Sequence, residues 1–515
     1  MTAARVRVFS GAYRDSLMLL SASRRMRDGA GVRWASALMA TPGGVAELAE
    51  AGFPAADLGD AGANDLVLAA RADDQAAADA ALERGWSALF GEQEPGEPAG
   101  SPGQEAPRTV ADAAARLPGA NVAVVSVPGP FAALAAHQAL SAGLDVLLFS
   151  DNVPVAEEVE LKERAEGLGR LVMGPGAGTA VLGGTGLGFA NAVRRGRVGV
   201  VAAAGTGAQE VMTLLDRWGV GISHVVGVGG RDLSAAVGGR MTRAALRALD
   251  ADPGTDAVLL VSKPPDLSVA AEVVGACRSK PLIGACIGLS APGGRIAGVP
   301  MAPTLEAGAV MVARRLGHPV PDLSRGLRAA AASAAARLAD RRTAVRGLFT
   351  GGTLCYEAQV ILGDLVGPVH SNAPLRPGLG LPAPGHAHVC LDLGEEEFTR
   401  GRPHPMIDPA ARLDVLRGQA GEEDVAVVLL DVVLGYGSHP DPAGQIAGAC
   451  AELADAGVAV VGYVLGTRAD PQGWDAQRAT LREAGVVVTD TAARAARTAA
   501  AIALRQPDLA AGGHG

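Results

Sequence analysis

Val198–Glu210 reads VGVVAAAGTGAQE, and Val345–Glu357 reads VRGLFTGGTLCYE, 147 positions further along a chain of 515 residues. Each stretch is an apolar run, a Gly-Thr turn and the opening of a helix, with a glutamate one helical turn past the threonine. Short apolar runs bounded by glycine mark buried parallel strands. A glycine turn that starts a helix leaves backbone N–H groups unspent, and the helix dipole adds positive potential at the same point. Each turn is therefore a seat for an anion. Two of them predict one anion held between facing helix tips, with Gly205, Thr206 and Gly207 on one side and Gly351, Gly352 and Thr353 on the other.

The alternation continues on both sides of these stretches. In the first copy, residues 196–325, strands are predicted at Ile222–Val228, Ala257–Ser262 and Pro281–Ile287. In the second, residues 326–509, they fall at Val425–Val433, Val458–Leu465 and Val486–Thr489, and an Ala/Arg-rich helix at Leu323–Arg342 joins the copies. Upstream, residues 109–195 form another α/β unit with strands at Asn121–Val127, Asp145–Phe149 and Arg170–Met173. Its loops Ser126–Pro130, Ser150–Val153 and Gly174–Thr179 follow strands, where open sheets take ligands. Residues 91–108 (GEQEPGEPAGSPGQEAPR) hold too few apolar groups to pack and read as a linker. Residues 1–90 read as a small α/β domain with no visible chemistry, and residues 510–515 are expected to be disordered.

Composition agrees with a multidomain α/β protein. The chain is 49% apolar with 70 glycines and only 3% aromatic residues, so small and aliphatic side chains must fill its cores. Its length exceeds what one core accommodates. A net charge of −9 with four Trp and four Tyr speaks against a nucleic-acid partner. Five scattered cysteines without a Cys-x-x-Cys pair disfavour a disulfide framework or zinc ribbon and suit a reducing, cytoplasmic setting. No leader is read at residues 1–9, and no apolar stretch is long enough for a membrane span.

Val124–Thr179 resembles the CoA-binding domain of the succinyl-CoA synthetase α subunit in the turn Val127–Phe131, the strand entry Ala142–Leu144 and the Gly174-Pro175 loop. Val198–Glu210 looks like the strand–Ser-Gly-Thr–helix that follows it there. Gly421–Ala501 is similar to the carboxyl-terminal domain of the β subunit, with Leu429–Gly437 as its phosphate-facing loop. Over nearly its whole length the chain resembles the FdrA family, on Val226–Ser234 (VGVGGRDLS) and Gly401–Pro409 (GRPHPMIDP). The resemblance implies a Rossmann-like CoA-binding-type domain at 109–195 and two flavodoxin-like CoA-ligase-type domains at 196–325 and 326–509. It implies a subunit of a phosphate-dependent transferase that turns oxalurate and phosphate into oxamate and carbamoyl phosphate. An NDP-forming acyl-CoA synthetase subunit and a non-catalytic, anion-sensing scaffold are the alternatives. Separately encoded partner subunits in a hetero-oligomer, a small anionic acyl or carbamoyl substrate, inorganic phosphate or carbamoyl phosphate, and CoA as cofactor come with it.

Three departures separate the chain from the synthetases. They carry phosphate on a histidine in a Gly-His-Ala-Gly segment near the end of the first repeat domain, whereas Gly284–Gly317 here has no histidine. No stretch reads as an ATP-grasp nucleotide module. Gly176-Ala177 stands where they have Asn-Cys after Gly-Pro.

Within this frame Glu210, Glu357, His404 and His439 are the catalytic candidates. The glutamates share a helix face with the threonines four residues earlier. His404 sits between two prolines, with Asp408 placed to orient it as an acid–base group. His439 follows Gly435-Tyr436-Gly437, whose glycines join the anion-binding set. Arg231 and Arg402 are candidates for a substrate carboxylate. Pro128, Ser150, Gly174, Pro175 and Gly178 form the candidate CoA loop. His386, His388 and Cys390 alternate along a strand, but no fourth ligand is placed, so an ordinary strand face is the better reading and no metal is expected. Cys355, at a helix start, reads as a core residue rather than a nucleophile.

Overall fold

The computed structural model describes residues 3–12, 14, 16–91, 107–289, 292–399 and 403–512. The chain divides into two compact units, Met1–Ala106 with Gly401–Pro403, and Pro107–Arg400 with His404–Gly515. The predicted linker at 91–108 lies mostly outside the described residues.

In the first unit Leu66–Ala72 is the middle strand of an antiparallel sheet, flanked by Ala3–Phe9 and Val32–Met39. Its sequence, LVLAARA, is apolar on both faces because both are covered. Leu66, Leu68 and Ala70 pack with the helices Ser16–Arg27 and Gln75–Phe90, while Val67 and Ala69 pack with Leu48, Phe53 and Leu58.

The second unit holds three sheets. Val122–Val125, Asp145–Leu148 and Val172–Met173 form a small parallel sheet. In the eight-stranded sheet Arg195–Ala202 lies between Ile222–Gly227 and Ala257–Ser262, all parallel. Leu282–Cys286 extends that sheet on one side. On the other side it takes up the hairpin Thr179–Leu182 and Thr185–Gly188, so the segment 109–195 completes its neighbour's sheet. The third sheet is parallel throughout, in the order Val369–Ser371, His388–Asp392, Ala344–Phe349, Val425–Val433, Ala459–Leu465, Val487–Thr489.

The helices Gly205–Arg217, Leu305–Arg315, Gly352–Val366 and Ala492–Ala503 belong to one continuous core that spans both repeats. Ala492–Ala503 reads AARAARTAAAIA and is buried along almost its whole length, which small side chains permit. Two expectations fail here. The joining helix runs only over Leu327–Ala335, because Gly326 holds a left-handed conformation (φ 78°) and Asp322 turns the chain by accepting from the Ser324 N–H. The carboxyl-terminal residues do not fray at 510: Asp508–Ala511 is helical with Ala510 buried in the shared core, and residues 513–515 lie outside the described set.

Candidate functional site

Both glycine turns open helices as expected, at Gly205 and Gly352, and the two tips meet. The Thr353 N–H donates to Thr206 Oγ1 at 3.2 Å, and a methyl group on Gly207 would lie 2.9 Å from Thr353 Cγ2. The contact is so close that both threonines are buried, and the expected space for an anion between the two tips is absent.

The tips differ in their surroundings. At the first, Gly205 is exposed, and the N–H groups of Gly205, Thr206 and Gly207 have no protein acceptor among the described residues. At the second, Asp431 accepts from the Thr350 and Gly351 N–H groups, each at 2.8 Å, and from Thr350 Oγ1 at 3.0 Å. Buried Arg412 balances Asp431 at 3.3 Å. Asp392 closes on the same tip from the other side. A methyl on Gly352 would fall 2.3 Å from Asp392 Oδ2, so any larger residue there must displace that carboxyl group. Burial raises Asp392 to about 6 while the Gly394 N–H and Lys263 pull it back. Sequence reading missed both aspartates; a lone charge inside an otherwise apolar strand is the clue that flags Asp431.

Glu210 and Glu357 serve differently from the catalytic role expected of them. Glu357 Oε1 accepts from the Leu305 N–H at 2.7 Å, the first residue of the helix that ends the first repeat. Glu210 Oε1 accepts from the Ala492 N–H at 3.3 Å, the first residue of the helix that ends the second. The two carboxyl groups are thus exchanged caps. Tyr463 donates to Glu210 Oε2 at 2.5 Å, while Glu357 Oε2 is buried without a partner among the described residues. Burial raises Glu210 to about 7 against the pull of Arg217, and raises Glu357 to about 8 with Glu210 adding to the rise.

His404 lies by the second tip. A methyl on Gly394 would be 2.7 Å from its Nε2 and 3.2 Å from Asp392 Oδ1, so the imidazole and the carboxyl both approach this glycine and leave no room for a side chain there. Its Nδ1 accepts from the Met406 N–H at 3.2 Å, which leaves the ring proton on Nε2. Burial holds this imidazole below its ordinary pKa. Asp408 does not orient it; its carboxylate accepts from the Ala410 N–H. His439 is buried with Nδ1 accepting from the Asp441 N–H, and the loop before it is a docking element: Gln472 accepts from Gly435, and Tyr436 donates to Ala190 O. Gly435 is thus held by Gln472, and Gly437 lies against the Phe189 ring.

Arg231 is already occupied, donating to Glu158 Oε2 at 2.9 Å and Val153 O at 2.7 Å. Beside it, fully buried Lys162 bonds Glu158, Asp232 and the Val228 carbonyl, fastening the small parallel sheet to the eight-stranded one. Arg402 lies outside the described residues.

The candidate CoA loop spends its polar groups on itself. Ser150 Oγ donates to Val127 O, the Gly176 N–H donates to Ser150 O, and Gly174 is pressed against Leu148 O. Pro128 caps the helix Gly129–Ser141, Gly178 O accepts from Phe189, and none of the three loops carries a lysine or arginine. These loops offer a CoA pyrophosphate no side-chain cation. His388 accepts from the Val345 N–H, His386 turns to Asp424 outside the strand, and Cys390 is buried, so the three do not converge. Cys355 is buried, with its thiol pushed well above the ordinary value by burial.

Residues 348–502 match the CoA-ligase family model, and residues 1–106 match the model described as "AllF, heavy metal-associated domain". The uncharacterized protein YahF of Escherichia coli is 37% identical over 493 residues, which cover 93% of this chain and 94% of YahF. The subunit alpha 2 of ADP-forming succinate–CoA ligase from Archaeoglobus fulgidus is 35% identical over 188 residues, covering 35% of this chain and 64% of that protein. The alpha subunit from Staphylococcus epidermidis is 33% identical over 183 residues, covering 34% and 59%. A solved dinucleotide-forming acetyl-coenzyme A synthetase from Ca. Korarchaeum cryptofilum aligns over 78% of this chain and 86% of its own at 16% identity, with a TM-score of 0.29.

Fold and matches together define a succinyl-CoA synthetase-like protein with a CoA-ligase domain. The chain belongs to the FdrA-type family within that class. CoA is named in the relatives, but this chain's loops offer it no cation. The heavy metal in the amino-terminal description fits no better: residues 1–106 contain neither cysteine nor histidine, and no metal-holding cluster exists among the described residues. No described helix is long and apolar enough to cross a membrane.

Proposed function

We propose that this chain is the phosphate-binding subunit of a phosphate-dependent acyl or carbamoyl transferase, of the kind that converts oxalurate and phosphate to oxamate and carbamoyl phosphate. The observation that carries this reading is the open first tip, Gly205–Gly207, set against a second tip that holds an acid and an imidazole. Hydrogenphosphate on the first tip attacks the ureido carbonyl. The new C–O bond forms, the C–N bond to the oxamate nitrogen breaks, and the phosphate's proton ends on that nitrogen. Asp392, raised to about 6, is suited to move this proton. The Nε2–H of neutral His404 donates to the carbonyl oxygen as negative charge builds there. Because phosphate attacks the carbonyl directly, this reaction involves no phosphohistidine, which agrees with the lack of histidine between 225 and 317. Separately encoded subunits complete the enzyme.

Gly205→Pro tests the reading. Proline is accepted at a first helical position and after extended Ala204, and a Cβ at 205 meets nothing within 4 Å, so the change removes chiefly the N–H. Phosphate-dependent turnover of the reconstituted enzyme should fall about 100-fold, the usual cost of one such donor, while Gly205→Ala stays near the parent. Equal turnover in the two variants overturns the site.

The match of residues 348–502 to the CoA-ligase model favours a second reading, an acid–thiol ligase subunit whose phosphohistidine lies on another chain. Labelled ATP with the partner subunits should then label a histidine and support thioester formation.

A further inference from the structure

The order of the eight-stranded sheet creates a crevice that no role above uses. From Arg195–Ala202 the chain goes out to Ile222–Gly227 on one side and then crosses back to Ala257–Ser262 on the other. The winding reverses at the first parent strand, and open α/β sheets take ligands just beyond the carboxyl ends at such a reversal. A cavity of about 310 Å³ lies there, lined by Gly230, Leu233, Ser234, Ser262, Lys263 and Asp266 together with Ala235, Pro264 and Pro265. That size lies at the small end of ligand clefts, which suits a small organic acid. A methyl on Gly230 would lie 3.9 Å from the Ala203 carbonyl, two residues before Gly205, so the crevice adjoins the open tip.

Its chemistry is that of a carboxylate site. Lys263 makes no direct ion pair among the described residues, although it lies near enough to Asp392 to hold that carboxyl down; its ammonium lies 5.4 Å from the centre of the Tyr356 ring, on the helix of the second tip. The nearby Asp266 is committed elsewhere, accepting from the Ser268 and Val269 N–H groups and from Ser268 Oγ. Ser262 is only 4% exposed, lines the cavity, and hydrogen-bonds through Oγ to no protein group among the described residues. Leu233, Pro264 and Pro265 supply apolar walls that strengthen a charge pair by excluding water.

We propose that this crevice is the acid-end subsite: Lys263 and Ser262 hold the carboxylate of a short carboxylic acid whose amide or acyl carbon is presented to phosphate on the first tip. This assignment rests on the phosphate-dependent transfer reading for the acid's fate, but not for its binding. It replaces Arg231, which the buried Glu158 already holds.

Two measurements test it separately from that reading. In the reconstituted enzyme, Lys263→Met should raise the KM for oxalurate about 10- to 100-fold, the usual worth of a charged hydrogen bond, and leave the KM for phosphate unchanged. Lys263→Arg should recover most of the loss, and Ser262→Ala should raise the oxalurate KM by a smaller factor. An unchanged oxalurate KM in Lys263→Met, with phosphate dependence intact, overturns the subsite and leaves the transferase reading standing. Calorimetry of the full-length chain with oxamate gives the second readout: binding by the parent and loss in Lys263→Met support the subsite even if no transfer is found. Absence of oxamate binding to the parent, or equal binding to both, overturns it.

Discussion

Beside Ala202, where the first parent strand ends, the neighbouring strands place Gly227 and Val261. Beside Phe349, at the matching point of the second, one neighbour places Asp392, and the other runs through Leu430 to Asp431. The two glycine turns are nearly the same in sequence, yet no carboxylate approaches the first, while at the second Asp431 takes the N–H groups of Thr350 and Gly351 just ahead of the helix and Asp392 lies against Gly352. A helix tip is thus made into an anion site by the strands that flank it, because those strands decide whether an internal acceptor gets there first. The filled tip gains a different use, since a carboxyl group held there becomes an acid–base group.

Asp431→Ala attacks this contrast hardest. It strips the acceptor from two N–H groups and leaves Arg412 buried without its carboxylate, so thermal unfolding should show a loss of about 3–5 kcal/mol. If the second tip becomes like the first once emptied, phosphate should raise the Tm of this variant more than that of the parent. Asp392→Asn comes next. The parent's kcat/KM should fall as pH drops below about 6, where Asp392 takes up its proton. The variant should lose about 100-fold in rate and the pH limb with it; an unchanged profile would free Asp392 of any role. Val261→Asp would place a carboxylate near the first tip, and phosphate binding measured by calorimetry should weaken about 10-fold or more, with circular dichroism confirming the fold. Equal phosphate binding by that variant and the parent would break the contrast.

The exchanged caps give a test that is read through pH. The folded protein keeps the Glu357 proton up to about pH 8, whereas an unfolded chain releases it near the ordinary 4.5. The stability this proton supplies is therefore full below about 4.5 and is lost as pH rises toward 8. Glu357→Gln keeps the acceptor for the Leu305 N–H and cannot ionise, so its Tm should decline less between pH 5 and 8. Parallel declines in parent and variant would mean that the carboxyl is solvated.

Local chemistry was readable in advance, and long-range partnership was not. Apolar runs located Arg195–Ala202, Ala344–Phe349 and the nine-residue strand Val425–Val433, and the Gly-Thr turns located both helix starts. What misled was the assumption that exposed-type side chains remain available. Arg231 meets Glu158, 73 residues away, and Glu210 meets Tyr463, 253 away. No periodicity encodes such pairings, which depend on how whole sheets dock. Asp392 and Asp431 lie inside apolar strands, where a periodicity reading passes over single charges. His404 was singled out from its prolines, but Asp408, four residues on, does not orient it and accepts from the Ala410 N–H instead.

The swapped glutamate caps bear on why both repeats travel in one polypeptide. Either repeat produced alone would end in a helix whose first amide lacks its acceptor and whose alanine-rich flank, Ala492–Ala503 in the second case, faces water. Covalent continuity holds each half at a high local concentration of the other, so cleavage within 336–343 should yield fragments that stay associated once folded but refold poorly when mixed from denaturant.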